Sequence, residues 1–493
     1  MLFERVRAGL VVIVSLMIAL HAGDSEAFFR HLCHGEVGVG RIDPIVTPGK
    51  ASAHCHGIHG AQNMALDVDY NTLLASDCTS CSVRQDKSAY WSPYLYFKHA
   101  NGTLELVPKS GGLTVYYFTE RPADRPDDAI VAFPPGFRMV AGNNMKRAFY
   151  NGTANQVQPP YKDTWTQHDI EQQAIMEYAL GFNCLHYNAG YNEDSLARHG
   201  LPAKSLIDNN CTDGVRAEIM FPSCWNGRDL DTENHADHVA YPPMLRNGPC
   251  PSGFDTRLPP LFFETIYWTP LFKGMEGEYI FANGDPTGFG YHADFINGWE
   301  DGVLQAAIDN TECTHPNSSG EQSACPVLDI KPDEEIVNCK MNIPEVLQAE
   351  QVNYVATFPG DVGIYRGPEY APVPGKPVET SSIEPTVISS GPTASPTSTA
   401  DPSPVNDTTI STIAPTTSAD VSSTAGSSTL TPWTYYHVDG NKTTEVVVFQ
   451  TVVTVTVGPS LVGEATSTAP FANSTEPTGP VKRRRHGHGR VHV

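Results

Sequence analysis

The sequence predicts a mainly β fold: a single large β-sandwich-like domain with long loops, a few short helices and several disulfides, then a disordered Ser/Thr/Pro-rich tail. Three observations carry this reading. Short β-rich runs recur, helical periodicity is confined to two segments, and all eleven cysteines fall between Cys33 and Cys339. The β runs are Tyr94–Phe97, Leu113–Phe118, Val215–Phe221, Leu261–Trp268 and Glu278–Phe281, separated by Gly, Pro and Asn clusters. The helical segments are Asp169–Leu180 and Gly302–Ile308. There is no internal repeat.

In chain order, Arg5 and Arg7 precede the apolar run Gly9–Leu20, and the small residues Ser25 and Ala27 fit a cleavage site. This is a secretory signal over residues 1–27, its apolar run too short to span a bilayer. The folded domain is expected over 28–345, with a linker over 346–380. Residues 381–430 hold 24 Ser or Thr and six Pro with no aromatic residue. Such a segment has almost nothing to bury and reads as an O-glycosylated stalk. Residues 431–493 combine a β-prone stretch, Glu445–Val457, with a basic end, Lys482 to Arg485 followed by His486, His488 and His492. The stretch reads as a strand for another chain or wall material, or as one strand of an isolated hairpin. No hydrophobic tail for a lipid anchor is present, and no second apolar run of membrane length.

The charge balance sharpens the compartment. With 32 Lys+Arg against 55 Asp+Glu, the formal net charge is −23. Such a surface repels phosphate, which excludes nucleic acid and anionic membranes as partners. The cysteines suit a secreted, extracellular or cell-wall glycoprotein. N-glycosylation sequons at Asn101, Asn151, Asn210, Asn317, Asn406, Asn441 and Asn473 fit the same setting. An odd number of cysteines leaves one unpaired if the rest form five bridges, and Cys55 is the candidate. Cys78 and Cys81 form a CxxC without the second pair a structural zinc site needs, so disulfide bonding is the default for both.

The chemistry narrows to histidine. His54-Cys55-His56 puts two imidazoles on one face if the segment is extended. His235-Ala-Asp-His238 is a second cluster. His292 stands in a third, with Asp294 two residues on and Tyr291 and Trp299 nearby. Aromatic rings pack on sugar faces while Asp, Asn and His bond hydroxyls, so this segment reads either as a carbohydrate groove or as an aromatic core strand. Asp43, Asp237, Asp285, Asp294 and Glu300 are candidate acids for a glycosidase. The chain lacks GxSxG, HExxH and P-loop motifs.

Together the motifs resemble a known family. Arg41-Ile-Asp43-Pro, His54-Cys-His56, Cys78-Thr-Ser-Cys81 and Phe221-Pro-Ser-Cys-Trp225-Asn-Gly occur in order. His238-Val-Ala-Tyr-Pro, Gly284-Asp285-Pro-Thr-Gly and His292-Ala-Asp294-Phe-Ile-Asn-Gly-Trp299 follow. This is similar to the fungal secreted family called domain of unknown function nineteen ninety-six, over about residues 35 to 305. The resemblance implies a secreted or wall-associated fungal protein and brings no established activity or catalytic residue.

Three functional readings follow. The first is an enzyme on wall polysaccharide, a hydrolase or lyase, in which His54, His56, His238 and His292 converge with or without one divalent metal ion. Asp43 or Asp294 then serves as base or metal ligand, and Arg41, Trp225, Asp285, Tyr291 and Trp299 contact substrate. The second is a non-catalytic glycan-binding or structural wall protein that stacks sugar on Trp225, Tyr291 and Trp299. The third is a surface metal-binding protein that also uses the terminal histidines.

Overall fold

The computed structural model describes residues 27–119, 129–149, 169–189, 193–313, 320–373, 433–439 and 442–448. The signal peptide, the stalk, the basic terminus and the sequons at Asn151, Asn317, Asn406, Asn441 and Asn473 lie outside these residues. Asn101 and Asn210 are both exposed.

Two five-stranded antiparallel sheets organise the domain. The first has the order β1 (Phe28–Cys33), β7 (Lys109–Phe118), β14 (Leu261–Tyr267), β10 (Val215–Met220) and β9 (Leu180–Cys184). The second has the order β2 (Gly38–Gly40), β3 (His56–Gly60), β4 (Ala89–Pro93), β16 (His292–Ile296) and β8 (Arg138–Gly142). Side chains alternate between faces along each strand. Tyr90, Ala293 and Phe295 of the second sheet meet Val115, Tyr117 and Phe263 of the first in one shared core. The Tyr90 and Phe263 rings are 5.6 Å apart. A polar chain crosses this core: the Trp299 indole donates to the Tyr117 hydroxyl (2.9 Å), which is 2.8 Å from that of Tyr90. Tyr90 in turn donates to Asp86, paired with His31 at 2.9 Å.

The opposite face of the second sheet is covered as well. Ile58, Trp91 and Ile296 pack there against Ile42, Ile45, Met64 and Leu73. The covering loop is closed on itself: the Ser52 amide donates to the Arg41 carbonyl (2.8 Å), and Arg41 Nη1 donates to the Ser52 carbonyl (2.7 Å). Asp43 turns it, its Oδ1 accepting from the amides of Ile45 (3.2 Å) and Val46 (3.0 Å).

Two three-stranded sheets complete the β structure of this unit. One is β15 (Gly277–Phe281), β5 (Leu95–His99) and β6 (Leu104–Leu106). The other is β12 (Val239–Ala240), β11 (Cys224–Trp225) and β13 (Thr256–Arg257). Five short helices are described: α1 (Tyr70–Leu74), α2 (Gln172–Tyr178), α3 (Lys204–Asn210), α4 (Val303–Asp309) and α5 (Asp333–Val337). Two of them, α2 and α4, fall on the segments with helical periodicity. The others are too short to show one.

Five disulfides form: Cys33–Cys81, Cys78–Cys339, Cys184–Cys211, Cys224–Cys250 and Cys313–Cys325. Cys55 is the free thiol, buried. The CxxC thiols therefore bond to different partners.

The expected linker differs from the structure at its first part. Residues 346–373 belong to the compact unit, which extends to Lys376. Phe358 enters the core, the Tyr96 hydroxyl donates to the Val352 carbonyl (2.7 Å), and Ala371 donates to Met145 (2.8 Å). Proline spacing suppresses regular hydrogen bonding there but leaves the apolar side chains free to pack. The unit from Pro377 onward contains one described hairpin, β17 (Trp433–Asp439) with β18 (Lys442–Val448). The β-prone stretch thus supplies one hairpin strand through Val448, and its remainder lies outside the described residues.

Candidate metal centre

The site lies on the covered outer face of the second sheet. Strand alternation sends His56 and Ile58 of β3 to that face, and His292, Asp294 and Ile296 of β16 likewise. Between them runs β4, with His56 opposite Pro93 and Trp91 opposite Asp294. The twist and the covering loop let the flanking rings meet over this middle strand. His54, at the end of the loop and just before β3, completes the group.

The Nε2 atoms of His54 and His292 are 3.2 Å apart, so that His54 donates to His292 when no ion lies between them. One nitrogen from each of His54, His56 and His292 lies within 4.8 Å of the others. The three residues are 4 %, 0 % and 4 % exposed. Imidazole nitrogens bound to one ion at about 2.0–2.1 Å in tetrahedral geometry lie ~3.3 Å apart, so the His54–His292 spacing fits two ligands of one metal.

The tautomers agree with this use. His292 Nδ1 donates to the Gly290 carbonyl (2.9 Å), leaving Nε2 bare toward His54. Asp285 holds the turn that carries this carbonyl. It accepts from the Gly290 amide (2.7 Å), from the Thr287 amide (2.8 Å) and from the Thr287 hydroxyl (2.6 Å). Asn283 adds a donation to the same Gly290 carbonyl (2.9 Å). Beside His292, Gly142 has φ +81°, and a Cβ there would lie 2.5 Å from the Tyr291 carbonyl oxygen. Among the described residues His56 has no hydrogen-bond partner on either ring nitrogen. Ile42's backbone lies close enough to favour its charged form without meeting hydrogen-bond geometry. A buried polar ring without partners calls for a ligand.

Burial disfavours the charged form of all three rings, which suits coordination. It pushes His54 well below the ordinary imidazole range, helped by His56, His292 and Arg147. It does the same to His56, with His292 next in effect. His292 falls to about 4. Further along the same face lie two buried acids, Asp43 and Asp294. Burial raises both, and Asp43 raises Asp294 further, well above the usual carboxylate range. Neither oxygen of Asp294 has a hydrogen-bond partner among the described residues.

The remaining expected site residues sit elsewhere. His238 is not brought to the cluster. Its Nε2 donates to the Arg138 carbonyl (2.9 Å) at the far end of β8. Arg138 pairs with Ile296 and Gly142 with His292, so that position is roughly 13 Å along the strand from the site. Arg41 pairs with Glu350 (2.8 Å). Tyr291 and Trp299 are 1 % and 2 % exposed, in the interior. Asp285 is fully buried, and Trp225, half-buried, donates from its indole to Asp229 (2.7 Å). The carbohydrate groove expected around His292 is therefore an aromatic core strand, because both faces of its sheet are covered. A second His/Cys group, His31 with Cys33 and Cys81, has its sulfurs in a disulfide. Sequence reasoning missed the supporting role of Asn283 and Arg147, whose Nη2 donates to the Asn283 carbonyl (2.8 Å). No local pattern marks either residue.

A family model described as a domain of unknown function (DUF1996) matches residues 43–299, more than half of the chain. The chain belongs to the DUF1996 family. The matched span contains all three cluster histidines, Asp43, Asp285 and Asp294. No curated protein and no solved structure matches the chain. The five disulfides of the compact unit fit an extracellular setting, and among the described residues no helix is long and apolar enough to cross a membrane.

Proposed function

We propose that this DUF1996 protein is a secreted, wall-associated metalloprotein whose His54, His56 and His292 hold one transition-metal ion. The observation that carries the reading is the 3.2 Å approach of two neutral, buried Nε2 atoms, with an unpartnered third imidazole beside them. Imidazole donors of this kind take zinc, copper, iron or nickel. The test is metal content and affinity of the full chain, with His54→Gln and His292→Gln as controls. One equivalent that both variants lose supports the reading, and an unchanged content in the variants refutes it.

A second reading is favoured by one specific observation. Asp43 and Asp294 lie buried on the same covered face, and burial, with Asp43 next in effect, raises Asp294 well above the usual carboxylate range. Beside a bound divalent ion, such a pair supplies the acid and base of a hydrolase acting on wall polysaccharide. Released sugar from β-glucan, chitin or mannan, abolished in Asp294→Asn, is the outcome this reading requires.

A further inference from the structure

We infer that the three-histidine cluster is built for a singly charged, d10 ion, copper(I), rather than for a divalent one. The inference rests on the metal-centre reading and deepens it by naming the ion.

The donor set is neutral. Three imidazoles form the group, and no carboxylate oxygen joins it within the 4.8 Å span. Cys55 lies between two of the ligands in sequence, yet alternation turns its thiol to the other side, and it is not among the donors that meet. Asp43 Oδ1 is taken up by the Ile45 and Val46 amides, and Asp294 is not among the donors that meet at the cluster.

The donor number is low. Zinc(II) takes four protein ligands in structural sites, or three and a water at an open position in catalytic ones. Here the described residues give three donors, at 4 %, 0 % and 4 % exposure, and no fourth protein ligand among them. Copper(I) is satisfied by two or three donors. At a bond length of ~2.0 Å, nitrogens 3.2 Å apart subtend roughly 105° at the ion, an angle open to trigonal and tetrahedral ions alike, so donor number rather than angle selects copper(I).

The surroundings bring no net negative charge. Arg147 adds positive potential at His54 and His292, and Lys109 at His56. Each is itself paired, Arg147 with Asp285 at 3.7 Å and Lys109 with Glu36 at 2.6 Å. These pairs cancel rather than offset an added cation. The cost of burying an uncompensated ion rises with the square of its charge, so the second unit of charge is the costly one.

The experiment uses the full-length chain, stripped of metal and kept anaerobic. It is dialysed against Zn²⁺, against copper(I) buffered by bathocuproine disulfonate, and against both. The expected result is one copper(I) per chain, held against about a hundredfold excess of Zn²⁺ and lost in His54→Gln and His292→Gln. Zinc that binds one per chain and displaces copper(I) overturns the inference and leaves the metal centre standing. A folded chain that retains neither ion overturns both. If the histidine variants fail to fold, Arg147→Gln against Arg147→Lys provides a second reading. Loss of the charge should raise Zn²⁺ affinity about tenfold and copper(I) affinity much less, whereas equal changes contradict the charge argument.

Discussion

His54 and His292 are separated by 238 positions in the chain, and their Nε2 atoms are 3.2 Å apart. The contact exists because β3 and β16 flank the same strand, β4, and the loop closed by Arg41 and Ser52 delivers His54 onto that face. Replacing His292 by alanine removes a ligand outright. The expected loss of metal affinity exceeds the ~10–100-fold typical of losing an outer-shell partner. Chelator competition at pH 7, with circular dichroism to confirm folding, measures it.

Asp285 acts one step further out. It fixes the Gly290 carbonyl that sets the His292 tautomer. Asp285→Asn should weaken metal binding by about 10–100-fold while the three ligands remain. A role in packing alone would lower the melting temperature and leave the ligand-field spectrum of the chain loaded with Co²⁺ as a spectroscopic stand-in unchanged. The account expects that spectrum to shift.

The buried rings also set a pH dependence. His292 titrates near 4 in the folded chain, against about 6.5 when unfolded. Between these values the unfolded state binds more protons, so the metal-free domain loses stability as pH falls from about 6.5 toward 4. His54 and His56 are shifted the same way and act with the same sign. Asp43 and Asp294, raised in the folded state, act oppositely: their contribution is present at low pH and is lost as pH rises from about 4 through their raised values. Urea midpoints at pH 7 and pH 5 provide the check. The drop in wild type should exceed that in His292→Gln by roughly 1–2 kcal/mol, because glutamine does not titrate.

Trp299 belongs to the core rather than to a sugar platform. It packs edge-on against Tyr117 at 5.8 Å and donates to the hydroxyl of that residue. Trp299→Ala should cost ~3–5 kcal/mol of stability. Thermal or urea denaturation shows this. A variant of wild-type stability that has lost glycan binding would restore the platform reading.

The β runs and two of the five helices were legible because alternation and 3.6-residue periodicity are local. The HxH pair was legible for the same reason. Its union with His292 was legible only as a resemblance between ordered motifs, since pairing across 238 positions leaves no local mark. His238 shows the limit of that reasoning. It stands in a polar His-rich segment like the others, but register places it at the opposite end of β8. Tyr291 and Trp299 misled for a physical reason. Aromatic residues among Gly, Asn and Asp look the same in a sugar groove and in a strand covered on both faces, and only the second sheet's cover decides between them.

Cys55 gives a chemical check on that packing. The thiol is fully buried and unpaired. Native protein should resist iodoacetamide, and denatured, unreduced protein should take up a single label. Labelling of the native chain would contradict the placement of Cys55.

Elemental analysis of the full chain beside the His54→Gln, His56→Gln and His292→Gln variants, each confirmed to be folded, decides whether the three histidines hold a metal. Close to one metal ion per wild-type chain is expected after supply with zinc or copper, and loss of that ion in each variant. A folded wild-type chain without stoichiometric metal, or variants that retain it, would show that these histidines are not a metal centre.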